Sequence, residues 1–280
     1  MQLRDAILSR LGAPTTVEDA ALTLLALRRT SRSPEVLINA QQPSGGWAAA
    51  FHVGLPSVYH TALALLALRE FDTPLAQEAA DRAFQWLTTI QGREAHWLWQ
   101  WKFRFFDRQV RFDPSKYGWP WIPDTVSWVA PTALSILAFR CWRKSSPRLK
   151  PAADMLLDRA CAAGGWNAGN SIVFGVNLDP HPDFTAMAVL ALYAFQPQGQ
   201  GQVEASLDYL AARLREASSP YSLAWGVMAL SAYAHAGTHR LRNQLEEWTL
   251  AKLNRLPERV LALAALSLED PPCTFVRTER

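Results

Sequence analysis

Cysteine is scarce in this chain of 280 residues: the three present, Cys141, Cys161 and Cys273, form neither an even set nor a metal-ligand spacing and read as reduced thiols. Charge of one sign is lacking too. The formal net charge of +3 is too small to argue for a nucleic-acid partner, and charged residues make up only 19% of the chain. No run approaches the roughly 18 consecutive apolar residues of a membrane-spanning helix. The start, Met1-Gln-Leu-Arg-Asp-Ala6, has no apolar secretory core. These absences predict a cytoplasmic protein. No polar linker interrupts the sequence, so one domain over 1–280 is expected.

What the sequence has instead is a short apolar phrase used six times. It reads Ala20-Ala-Leu-Thr-Leu-Leu-Ala-Leu27, Thr61-Ala-Leu-Ala-Leu-Leu-Ala-Leu68 and Thr132-Ala-Leu-Ser-Ile-Leu-Ala-Phe139. It returns as Thr185-Ala-Met-Ala-Val-Leu-Ala-Leu192, Leu223-Ala-Trp-Gly-Val-Met-Ala-Leu230 and Leu261-Ala-Leu-Ala-Ala-Leu-Ser-Leu268. Strong helix formers that are apolar on every side predict helices buried all round. Between them lie amphipathic segments, with stripes such as Leu75, Ala79, Ala83, Trp86 and Ile90, or Leu241, Leu245 and Trp248. Alternating outer and inner helices predict an all-α fold, an α/α toroid of about six hairpins. An open solenoid is the alternative; it would expose both faces of its helix layer more evenly.

Outer-to-inner connections are long in the second, third and fourth hairpins, near 42–57, 92–124 and 162–182. Long connections inside compact domains carry function, and alternating helix direction predicts that all three emerge at the inner-helix N-termini. The second opens with Gln41-Gln-Pro-Ser-Gly-Gly-Trp47 and the fourth with Ala162-Ala-Gly-Gly-Trp166-Asn167. Such turns end the outer helix and pack a Trp over it, so stability is their first role.

A helix ending in Gln, then Gly-Gly-Trp, then a Thr-Ala-Leu-Ala-Leu-Leu-Ala-Leu helix resembles the Gln-Trp repeat of squalene–hopene cyclases and their relatives. Protein prenyltransferase β-subunits share that ring architecture. The resemblance spans the chain at repeat level, and the loops at Trp47 and Trp166 carry it best. It implies an isoprenoid substrate. One ring stands here where full triterpene cyclases have two, which leaves room for a partner subunit.

The third connection differs. Trp97, Trp99, Trp101, Phe103 and Phe105 alternate with Gln100, Lys102 and Arg104. Period two predicts a β-hairpin insertion within 92–123, turning near Asp107-Arg108-Gln109 and returning through Val110-Arg-Phe112. Its aromatic face could close a cavity, meet a membrane surface, or merely pack on helix ends. Then follows Tyr117-Gly-Trp-Pro-Trp-Ile-Pro-Asp-Thr-Val-Ser-Trp128, in which Asp124 or Thr125 can cap the third inner helix. The cyclase motif at this place resembles Asp-x-Asp-Asp-Thr-Ala, whose central acid protonates the substrate. Here Trp121 replaces the first Asp, Pro123 takes the donor's place, and only Asp124-Thr125 match. Asp124 is therefore the candidate acid, and burial beside Trp121 and Trp128 is expected to raise its pKa. No Asp-Asp-x-x-Asp offers magnesium ligands.

Further candidates at that end are His60 and His181 for catalysis. Trp99, Trp101, Trp119, Trp121, Trp128, Tyr59, Asn167, Asn170 and Trp225 are the candidates for holding a hydrophobic small molecule. His60, His181 and Asp183 would suit zinc by residue type, but the prenyltransferase Asp-x-Cys element is missing. Hydrogen-bonded loop histidines and an N-capping Asp183 are the favoured reading, with no cofactor. Three functions stand: transformation of an isoprenoid, a non-catalytic lipid- or protein-binding scaffold, and zinc-dependent prenyl transfer.

Overall fold

The structure, a computed structural model, describes residues 3–28, 33–106, 110–195, 200–216, 219–273 and 275. Six inner helices form a ring: α2 (Val17–Ala26), α4 (Val58–Leu68), α7 (Val129–Cys141), α9 (Pro182–Phe195), α11 (Pro220–Ala232) and α13 (Glu258–Ser267). Each packs on the next, and α13 returns to α2, so the ring closes and the solenoid alternative is overturned. The outer layer is α1 (Leu3–Leu8), α3 (Glu35–Ala40), α5 (Pro74–Thr89), α8 (Leu149–Asp158), α10 (Gln200–Arg215) and α12 (Thr238–Lys252). The apolar phrases account for this layering. Every residue of α7 from Val129 to Phe139 is buried, Ala and Leu included, because it has ring neighbours on two sides and an outer helix on a third. Helix α5 buries only one stripe, Ala76, Ala79, Ala83 and Leu87 among it.

The aromatic segment is the main departure from the sequence reading. Trp97–Phe105 is a helix, α6, and not a strand. Taking every second residue also selects two sets four apart, Trp97/Trp101/Phe105 and Trp99/Phe103, and these align on a helix as readily as on a strand. A lone strand would leave its backbone groups unpaired, whereas a helix satisfies them internally. Ring contacts follow the helical spacing: Trp99–Phe103 centroids are 5.8 Å apart and Trp101–Phe105 6.0 Å. His96 caps the start, its Nδ1 accepting from the Leu98 N–H at 3.3 Å. The expected turn at Asp107-Arg108-Gln109 lies outside the described residues.

Strand pairing does occur, further along. β1 (Val110–Arg111) pairs antiparallel with β2 (Ile172–Val173), and β2 with β3 (Val176–Asn177). The hairpin thus belongs to the fourth connection, where Phe174 and Gly175 take φ of 51° and 77°, the left-handed pair a tight two-residue turn requires. β1 ties the third connection to the fourth. A buried ion pair reinforces the tie: Arg159, at the end of α8, stands 3.8 Å from Glu94, beneath α6. Arg159 also donates to Asn170 Oδ1 and lies 4.1 Å over the Phe112 ring, while Glu94 accepts from the Ser127 N–H at 3.0 Å.

Candidate functional site

All three long connections meet at the inner-helix N-termini, and one repeated arrangement puts them there. Trp47, Trp119 and Trp166 are each fully buried. Their backbone N–H groups donate at 2.9 Å to Thr61, Thr132 and Thr185, the threonines that open three of the six phrases. Their indoles donate to Leu37, Leu87 and Leu156 carbonyls of the preceding outer helices at 2.7, 2.9 and 2.6 Å. Two residues beyond each Trp, the carbonyls of Ala49, Trp121 and Ala168 accept from Val17, Val58 and Val129, the first residues of the inner helices one step back around the ring. Each connection therefore staples its own hairpin and caps its neighbour's inner helix.

Gly118-Trp119 is the third copy of the Gly-Trp staple, separated from α5 by the inserted α6. Close approach demands the glycine: a Cβ on Gly118 would stand 2.3 Å from Thr132 Oγ1. Trp119 is thus structural, contrary to the ligand role expected of it.

The staples leave a cavity of about 450 Å³ at the axis of the ring, lined from five inner helices and one connection. Glu18 (α2), Tyr59 (α4), Asp183 (α9), Tyr221 (α11) and Arg259 (α13) are each the second residue of their helix and stand two positions before an apolar phrase. In α7 that place is held by Ala130, and Trp121 from the third connection covers the gap, its ring centroid 5.0 Å from that of Tyr59. His60, Phe184, Met187 and Val260 complete the lining.

Glu18 is the chemical centre of this mouth, and the sequence reading missed it. Tyr59 Oη donates to Glu18 Oε1 at 3.1 Å and Tyr221 Oη to the same oxygen at 3.3 Å, with the phenol oxygens 3.1 Å apart. Burial raises the Glu18 pKa against the opposing pull of the Tyr59 hydrogen bond and of Arg259. Burial likewise holds the Tyr59 and Tyr221 phenols protonated far above the ordinary range. The neighbouring carboxyl, Asp19, is spent on structure: it accepts from the Thr15 and Thr16 hydroxyls at 3.0 and 2.8 Å, while its N–H donates to the capping Thr16 Oγ1 at 3.1 Å. In the sequence, Thr16-Val-Glu-Asp19 reads as an ordinary helix start, which hid the second acid. The usable signal was register: the residue two before each phrase faces the mouth.

His60 lines the same cavity, with Nδ1 buried and unpartnered, and burial lowers its pKa to about 4. Neutral imidazole is thus the folded form. Since this pKa lies below the ordinary 6.5, His60 contributes its full share of stability above pH 6.5 and loses it as pH falls through about 4. The expected loss is up to about 3 kcal/mol. His60→Phe is expected to flatten the urea stability profile over that window; an unchanged acid slope would show that His60 ionises freely in the fold.

The other candidates are not brought together. Asp124 is exposed at φ 61° and lies outside the lining, so it lacks the burial a proton donor needs. Neither Asp124 nor Thr125 caps α7, whose N-cap is Trp128 without a side-chain bond. Trp128, half-buried, packs against Gly169. Asn167 and Asn170 brace the fourth connection, Asn167 Nδ2 donating to the Asn170 carbonyl at 2.9 Å. Trp99 is half-buried beneath Lys102 and Arg93, 4.6 and 5.3 Å from its centroid, and Trp101 is exposed on α6. Trp225 is fully buried one turn below Tyr221, against Phe275 at 5.5 Å. His181 is exposed, edge-on to Phe184 at 5.9 Å, while Asp183 is at the mouth. Among the described residues no three His, Cys, Asp or Glu side chains converge on a point that could hold a metal ion. His60, His181 and Asp183, which would suit zinc by residue type, are therefore not gathered into a metal site.

No protein-family model matches the sequence, and no curated protein matches it. Solved structures do match. A variant of the type II terpene cyclase MstE from Scytonema, in complex with its substrate geranylgeranyl dihydroxybenzoate, aligns with TM-score 0.59 and 16% identity over 92% of this chain and 78% of its own. Candida albicans protein geranylgeranyltransferase-I complexed with GGPP aligns with TM-score 0.51 and 12% identity over 95% and 89%. Salmonella alpha-2-macroglobulin reacted with methylamine aligns with TM-score 0.56 and 14% identity, covering 96% of this chain but only 18% of that longer one. Proteins with such different names share one architecture, and at these identities the likeness concerns the fold. The chain is an α/α toroid.

Proposed function

We propose that this protein binds an isoprenoid or similarly extended apolar molecule at the axial mouth, and that Glu18 supplies the proton for its transformation. The observation that carries this reading is a half-buried carboxyl, held by two phenols, in a cavity where Trp121, Phe184, Met187 and Val260 stand beside His60, Asp183 and Arg259. A volume of about 450 Å³ lies within the ordinary range for small-molecule sites. That two toroids of this shape carry geranylgeranyl groups in their solved complexes supports the substrate class.

The chemistry balances without a cofactor. Protonated Glu18 gives its proton to a carbon–carbon double bond, leaving a carboxylate and a carbocation. Trp121, Tyr59 and Tyr221 present π-faces that stabilise the cation. Loss of a proton from the rearranged carbon to the carboxylate restores the acid, so the net reaction is an isomerisation. The upward shift of the Glu18 carboxyl by burial suits a proton donor.

Geranylgeraniol is the probe. Binding is expected to change tryptophan emission through Trp121, and product is expected by gas chromatography. Glu18→Gln keeps the phenol contacts and is expected to retain binding while turnover falls by at least ~100-fold, the usual scale for a lost general acid. Absence of binding to the wild type would refute the substrate class. Equal turnover by the variant would remove Glu18 from the chemistry. A scaffold without catalysis remains the second reading, favoured by Pro123 at the place of the cyclase motif's acid and by the exposure of Asp124 beside it; binding without any product supports it.

A further inference from the structure

The exposed large apolar side chains are unevenly placed. Among the described residues, all except Val36, Leu75 and Leu250 lie on the three long connections at the mouth end. Helix α6 carries the densest group: Trp97, Trp101, Phe105 and Phe106 are 67%, 54%, 57% and 67% exposed, and none of its residues is buried. The β2–β3 turn adds Phe174 at 71% and the second connection Leu55 at 68%. Apart from the turn at Arg93–Ala95, α6 has few contacts with the remainder of the fold, and Phe103 against Phe112, at 5.1 Å, helps to seat it. Single exposed apolar residues need no explanation, but a concentrated aromatic rim does.

Charge points to what covers it. From 93 to 106 the exposed charged residues are Arg93, Lys102 and Arg104, all basic, while the one acid of that stretch, Glu94, is wholly buried. Among the described residues, the exposed acids of the three long connections are Asp124 and Asp179, which lie shortly before α7 and α9 and not on α6. A short helix whose outward Trp97/Trp101/Phe105 stripe is flanked by Lys102 and Arg104, with Trp99 and Phe103 turned toward the fold, has the composition of one that lies in a lipid headgroup region. Its aromatic rings would rest at the acyl boundary and its cations among anionic headgroups. No helix among the described residues is long and apolar enough to cross a membrane, so contact would be with one leaflet.

We propose that the mouth end of the ring docks on an anionic lipid bilayer through α6 and the β2–β3 turn. The inference rests on exposure and charge, and stands whether or not the cavity takes an isoprenoid.

Cosedimentation with vesicles of phosphatidylcholine and phosphatidylglycerol, against phosphatidylcholine alone, tests it. The wild type is expected to pellet with the mixed vesicles, with a blue shift of tryptophan emission and release by salt. Trp97→Ser with Trp101→Ser is expected to weaken binding by at least ~tenfold, given the transfer free energy of two large aromatics. Lys102→Glu with Arg104→Glu is expected to remove the preference for phosphatidylglycerol. These side chains are exposed, so thermal melting should be unchanged. Leu75→Ser with Leu250→Ser, exposed apolar sites elsewhere, should bind like the wild type. A wild type that stays in the supernatant, or a Trp97/Trp101 variant that binds equally, overturns the proposal. Concentration-dependent self-association lost in that same variant, without vesicle binding, would assign the rim to a copy–copy interface instead.

Discussion

Trp119→Ala is expected to destabilise the fold by about 3–5 kcal/mol, the range for emptying a fully buried large aromatic site. The size follows from what one side chain holds. Its ring packs against Phe139 at 5.8 Å and beneath the Arg148 guanidinium at 4.1 Å, and its indole reaches the Leu87 carbonyl. Its loss frees the turn that carries Trp121, whose carbonyl caps α4. Trp47→Ala and Trp166→Ala are expected to cost similar amounts, because both repeat the same Thr and outer-helix bonds. Trp119→Phe should cost nearer ~1 kcal/mol, the net worth of one hydrogen bond, since Arg148 also donates to Leu87 O at 2.7 Å. Urea unfolding measures all four. Tolerance of alanine at Trp119, with loss at the other two, would show that the third staple is not equivalent.

Arg159→Met is expected to cost about 3–5 kcal/mol, the penalty for leaving one member of a buried pair without its partner. Arg159 and Glu94 have 2% and 0% exposed side chains, so neither can be rehydrated without opening the structure. The pair joins α8 to the turn below α6, and Glu94 also holds the Ser127 N–H near the start of α7. Pairing Arg159→Met with Glu94→Gln should recover part of the loss, because the double variant leaves no buried charge. A double-mutant cycle by chemical denaturation reads the coupling. Single variants within ~1 kcal/mol of the wild type would mean that water reaches the pair, at the cost typical of a surface contact.

Both predictions concern how the third connection is held, and this is where sequence reasoning was weakest. Gly118-Trp119 is a staple like those at Trp47 and Trp166, yet α6 separates it from the helix it closes, so no local pattern marks it. The threonine that receives it was legible: Thr61, Thr132 and Thr185 open the phrases with a long connection before them, while Ala20, Leu223 and Leu261 open the others. Asp124 drew attention through a family motif, but a left-handed turn holds it in solvent. Glu18, disguised as a capping residue, occupies the mouth.

The order of inner and outer helices and the end at which long connections gather followed from composition and periodicity, because helices apolar on every side are stable only with neighbours all round. The same pattern favoured a closed ring over an open solenoid, and the packing of α13 on α2 decided it. The tertiary structure alone decided three things. It turned Trp97–Phe105 into a helix, since no adjacent strand was there to satisfy an extended backbone. It placed the hairpin at 172–177, where Phe174-Gly175 can turn tightly. It also gathered Glu18, Tyr59 and Tyr221, 41 and 162 residues apart along the chain, because the second residues of the inner helices meet only when α13 closes on α2.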